Sequence, residues 1–145
     1  MAEREKYGVR SLEYSRWHRT DSVHRFLGRE RAHHLPMIDL DALEYCRLCS
    51  QPLLLIETAR DVGQRYKPTY VLAALAKMSN LPAALVFYRI AEDGDVTQFR
   101  VRMIAPPGRE IVMTPGEYAQ WLWSFRERHQ CPNRGVRGGD DTARY

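Results

Sequence analysis

Ile38-Asp-Leu-Asp-Ala-Leu-Glu-Tyr-Cys46 and Pro52-Leu-Leu-Leu-Ile-Glu-Thr-Ala59 read as two apolar strands that carry carboxylates where burial should disfavour them. The linker Arg47-Leu-Cys-Ser-Gln51 is short enough for a hairpin, which makes the strands antiparallel neighbours. Side chains alternate along a strand, so Asp39, Asp41 and Leu43 share one side of the first strand. Leu53, Leu55, Glu57 and Ala59 share one side of the second. A turn centred near Cys49 sets Asp41 opposite Glu57 and Asp39 opposite position 59. Like charges across a strand pair repel and raise each other's pKa, and a divalent cation with oxygen ligands is the common compensation.

An Asp at a strand start, a hairpin, an apolar run ending at Glu57, then a helix and a further apolar strand together resemble the PD-(D/E)XK superfamily of restriction-endonuclease-like nucleases. The likeness extends over residues 11–104. It implies an α/β fold with a restriction-endonuclease-like core, a mixed β-sheet of about five strands flanked by helices. It also implies a nuclease dependent on Mg2+ or Mn2+ and acting on DNA, in which Asp41 or Asp39 is the first metal-binding acid and Glu57 the second. The family's Lys, which orients or activates the attacking water, falls at Ala59 here. Lys67 is the expected substitute, its long side chain returning over the acids from the loop after the second strand. Arg60 is the runner-up, but a guanidinium with a pKa above ~12 holds phosphate and does not act as a base.

The expected catalytic set is therefore Asp41, Glu57 and Lys67, with Asp39 and Glu13 as further metal ligands. Arg16, His18, Arg19, Arg25 and Arg60 are the expected contacts to nucleic acid. The departure at Ala59 supports a second expectation: a small phage-type protein whose nuclease-like fold has lost its chemistry and binds nucleic acid or a host protein. Small nucleases of this kind often pair to cut both strands, which makes a homodimer a further expectation.

At 145 residues, 44% of them hydrophobic, the chain is expected to hold one domain over residues 11–130. Residues 1–10 are expected to be flexible, and residues 131–145, rich in Gly, Arg and Asp, to form a disordered tail. The formal charge of +4 comes mainly from Arg, whose planar fork suits phosphate, although 18 acids stand among 22 bases. No apolar run approaches the ~18 residues of a membrane span. The start Met-Ala-Glu-Arg-Glu-Lys is too charged for a signal peptide, so the expectation is an intracellular protein without a membrane partner.

An odd set of 3 cysteines argues for free thiols. Cys46 and Cys49 have CxxC spacing, and His33, His34 and Cys131 offer further ligands for zinc. The usual second ligand pair with its own regular spacing is missing, however, so the pair reads as turn chemistry.

Elsewhere, residues 11–19 read as a helix start capped by Ser11, with Tyr14 and Trp17 on one face, and the basic residues 20–35 as a loop or a second helix. Residues 60–67 form a polar loop around Gly63. Pro68 then opens a helix to Met78 whose Tyr70, Val71, Leu72, Leu75 and Met78 are expected to pack on a sheet. Residues 83–90 alternate little, as in a central strand, and the crossover helix makes them parallel to the second strand. Glu92-Asp-Gly-Asp95 is a hairpin turn, residues 96–104 a strand with one basic face, and residues 109–113 a short strand. Thr114-Pro-Gly-Glu117 is a capping box that starts a helix to about His129, with Tyr118, Trp121, Leu122 and Phe125 at core spacing and Trp123 off that stripe.

Overall fold

The computed structural model describes residues 12–17 and 22–132. They fall into two compact units divided between Asp39 and Leu40. In the first, α1 (Leu12–Arg16) and α2 (Ser22–His33) are the helices. The ambiguous basic segment is thus helical, but broken at Gly28, whose φ of 77° lies in a region open to glycine. The expected Ser11 cap, together with His18 and Arg19, lies outside the described residues.

The second unit is α/β. Its five strands, β1 (Ala42–Tyr45), β2 (Pro52–Arg60), β3 (Ala83–Ile90), β4 (Val96–Ala105) and β5 (Glu110–Met113), lie in one mixed sheet in sequence order. Only the β2–β3 pair is parallel, joined through α3 (Tyr70–Ser79), as the strand–helix–strand pattern requires. The remaining pairs are antiparallel.

Alternation divides the core between the two faces of this sheet. Leu54, Ile56, Ala84, Val86, Val101 and Met113 form the larger cluster, covered by Tyr118, Trp121, Leu122 and Phe125 of α4 (Pro115–Arg128). Each fully buried Leu or Val there contributes about 2 kcal/mol. The start of α4 is fixed by reciprocal bonds. Glu117 N donates to Thr114 Oγ1 at 3.2 Å and Thr114 N donates to Glu117 Oε2 at 3.3 Å, a device worth about 1 kcal/mol. On the opposite face, Leu55 and Ala83 pack with Leu72 and Ala76 of α3.

Two elements differ from the sequence reading. The helix α3 buries only Leu72 and Ala76, while Tyr70 is 75% and Met78 is 87% exposed. An i, i+4 stripe ending in a small alanine lets the helix lie close over Ala83, so one narrow line of contact suffices. The first strand is also shorter than residues 38–46. Its ladder ends at Ala42↔Ile56, and the next donor on β2, the Thr58 N–H, goes to the Asp41 carboxylate at 2.8 Å instead of a strand carbonyl.

Candidate active site

The face of β2 that carries Leu55 under α3 continues to Glu57, beyond the helix. The ladder places Glu57 beside Leu85 and Ala59 beside Phe87. Asp41, just before β1, is held here by the Thr58 N–H and by the Thr58 hydroxyl at 3.3 Å. Glu57 is largely covered, with 14% of its side chain exposed.

Lys67 completes the group. Its Nζ lies 2.5 Å from Glu57 Oε1 and 3.6 Å from Asp41 Oδ2, and donates to the Thr58 carbonyl at 2.8 Å. Three oxygens of different origin therefore converge on one ammonium. Burial works against the charge on Lys67, yet the hydrogen bond and field of Glu57, joined by Asp41, hold its pKa above the ordinary lysine value. Lys67 is thus a fixed cation at neutral pH, able to donate to an anion but not to accept a proton.

The loop that carries Lys67 is tied to the sheet. Asp61 N extends the β2–β3 pairing by donating to Tyr88 O at 2.7 Å. The Asp61 carboxylate accepts from Gly63 N at 3.0 Å and from Arg100 of β4 at 3.0 Å. Arg100 also donates to Gln64 O at 2.6 Å and to Glu110 at 3.0 Å, while its guanidinium lies 4.3 Å from the centre of the Phe87 ring. Hydrogen bonds from Arg100 and from the Gly63 amide outweigh burial and hold the Asp61 pKa below the usual carboxylate value. Arg100, read from sequence as part of a wet basic face, instead covers the apolar floor of the sheet and anchors the Lys67 loop.

The structure brings Asp41, Glu57 and Lys67 together. Arg60 is exposed at the end of β2. Glu13, Arg16, Arg25 and Asp39 belong to the first unit, where Arg25 lies over the Phe26 ring at 4.8 Å. Sequence reading missed Thr58, Asp61 and Arg100. Only Asp61 left a signal, an Asp two residues before Gly63 in a loop. Sequence reading offered Cys131, with His33 and His34, as a further ligand beside the Cys46–Cys49 turn but missed His129. In the structure the ligand atoms of Cys46, Cys49, His129 and Cys131 all lie within 4.8 Å of one another. Cys131, assigned from sequence to the tail, is buried.

Compared with known protein families, characterised proteins and solved structures, the chain matches none. Among the described residues, no helix is long and apolar enough to cross a membrane.

Proposed function

We propose that the protein is a metal-dependent DNA phosphodiesterase with a restriction-endonuclease-like core, its active site built from Asp41, Glu57 and Lys67. The observation that supports this most is the Lys67 ammonium on both carboxylates, a cation brought from the following loop to the acids of a motif whose own Lys position is Ala59. The donor set fits Mg2+ or Mn2+: the Asp41 and Glu57 carboxylates and the Thr58 carbonyl are hard oxygen ligands on one side of the hairpin. Such an ion, when bound, polarises a phosphoryl oxygen and lowers the pKa of its water.

The chain's own residues then have separate tasks. Asp41 and Glu57 hold the cation, and the Thr58 amide and hydroxyl fix the Asp41 carboxylate in place. Lys67, released from Glu57, donates to a non-bridging or leaving oxygen of the phosphodiester, stabilising charge as it develops. Arg100 and Asp61 keep the Lys67 loop in reach. Arg60 adds a phosphate contact that carries no sequence information.

A second reading, a binding module without chemistry, is favoured by the same ammonium, because a lysine already neutralising the acids removes the need for a metal. Supercoiled plasmid and branched DNA incubated with and without added Mg2+ or Mn2+ separate the two. Metal-dependent nicking that is lost in Asp41→Asn and Glu57→Gln supports the enzyme. DNA binding without nicking at either metal supports the module, and equal nicking by all three proteins identifies a contaminant.

A further inference from the structure

We infer that Cys46, Cys49, His129 and Cys131 form a structural zinc site that fastens the β1–β2 turn to the end of α4. The turn is built to present two thiols together. Cys46 N donates to Gln51 O at 2.8 Å and Ser50 N to Cys46 O at 2.7 Å, with Ser50 at a φ of 64° that closes the loop tightly. At the other side, α4 stops at Arg128, and His129 leaves the helix with a ψ of 125°. Cys131 N then donates to His129 O at 3.1 Å, a tight bend that gathers His129 and Cys131 as a second ligand pair.

All four ligand atoms lie within 4.8 Å of one another, and two of the six edges come near those of a zinc tetrahedron. Zn–S bonds of about 2.3 Å and Zn–N bonds of about 2.0 Å require ligand edges of about 3.8 Å between sulfurs and about 3.5 Å between sulfur and nitrogen. Cys46 Sγ and Cys131 Sγ are 3.8 Å apart, and Cys49 Sγ is 3.2 Å from His129 Nε2. Three thiolates and one imidazole are soft and borderline ligands that select zinc over the hard ions suited to Asp41 and Glu57. Four protein ligands leave no open position, which assigns a structural rather than a catalytic role. A disulfide between Cys46 and Cys131 would use two of the four groups and leave Cys49 and His129 unexplained.

The mechanical consequence follows from the sequence distance. Cys49 and His129 are 80 positions apart, so the ion closes nearly the whole second unit into a loop, a long-range constraint that limits the unfolded chain. It holds α4 over the larger core cluster at the end opposite the capping box. The acids stand at the other end of β1, on the order of 15 Å away by strand rise, so zinc binding and the proposed phosphodiesterase site are separable.

The test is metal analysis of untagged protein purified without chelators, followed by exchange with Co2+. About one zinc per chain is expected, and a cobalt spectrum with strong thiolate charge-transfer bands and tetrahedral d–d bands. After dialysis against a competing chelator, Cys49→Ala and His129→Ala should each keep less than about a tenth of the wild-type zinc, whereas Asp41→Asn should keep all of it. Chelation should lower the melting temperature of wild type but not of Cys49→Ala. No zinc in wild type refolded with zinc present, undiminished zinc in both ligand variants, or a Cys46–Cys131 disulfide in protein purified with zinc would each overturn the assignment.

Discussion

Lys67 Nζ stands 2.5 Å from Glu57 Oε1, with Asp41 3.6 Å away on the same ammonium, so the acids on the hairpin are compensated by a cation from their own chain. Removing that cation leaves a largely covered carboxylate facing another. Lys67→Met is therefore expected to destabilise the protein by about 1–2 kcal/mol at neutral pH, between the values of exposed and buried pairs. The folded pKa of Lys67 is raised, so its contribution is complete below the unfolded value near 10.4 and is lost as pH rises through the folded value. Urea unfolding of both proteins from pH 7 to pH 11 should show the gap closing in the alkaline range. Millimolar Mn2+ should stabilise Lys67→Met more than wild type, since no ammonium competes for the three oxygens.

The Asp61–Arg100 pair makes a different prediction because it is more deeply covered, with 5% and 13% of the side chains exposed. Asp61→Asn leaves the guanidinium short of a partner and is expected to cost about 3 kcal/mol. The depressed Asp61 pKa makes its contribution fully present above the unfolded value near 3.9, and lost as pH falls through the folded value. Thermal unfolding of wild type and Asp61→Asn across pH 2–6 checks this: the two melting curves should be fully separated above about pH 4 and converge as pH falls below it.

Binding to DNA should be electrostatic. Anisotropy titrations with labelled duplex at several salt concentrations are expected to show log K falling with log salt, at about −0.9 per phosphate neutralised. Arg60→Ala should weaken binding to all sequences alike and reduce the slope by about one contact's worth. An affinity independent of salt would direct attention to a protein partner.

The hairpin was legible because strand alternation and a short linker fix register. The observed pairing of Leu43 with Leu55 and of Ala42 with Ile56 keeps the register that the sequence predicts, and the ladder ends one position short of Asp41 and Glu57. The return of Lys67 followed from loop length and side-chain reach. The Asp61–Arg100 anchor was not legible, because an arginine on an alternating strand reads the same whether it meets water or covers Phe87. The burial of α3 was misjudged for a related reason: its apolar residues are spread around the helix, and only the tertiary fit selects Leu72 and Ala76. The His129–Cys131 pair has too short a spacing to stand out in sequence. Its significance emerges only when the end of α4 meets the Cys46–Cys49 turn.

The proposed active site assigns to the Lys67 ammonium the stabilisation of the phosphodiester, and moving that ammonium to position 59 is the most direct test. Nicking of supercoiled DNA should be measured with Mg2+ supplied or omitted rather than chelated, so that the Cys46–Cys49–His129–Cys131 group is left undisturbed. Lys67→Met is expected to cut at least about a hundredfold more slowly than wild type. Adding Ala59→Lys in that background should restore the rate to within about tenfold of wild type. Cleavage by Lys67→Met at the wild-type rate, or cleavage by wild type that does not depend on added Mg2+, would contradict the assignment of Asp41, Glu57 and Lys67 as the active site.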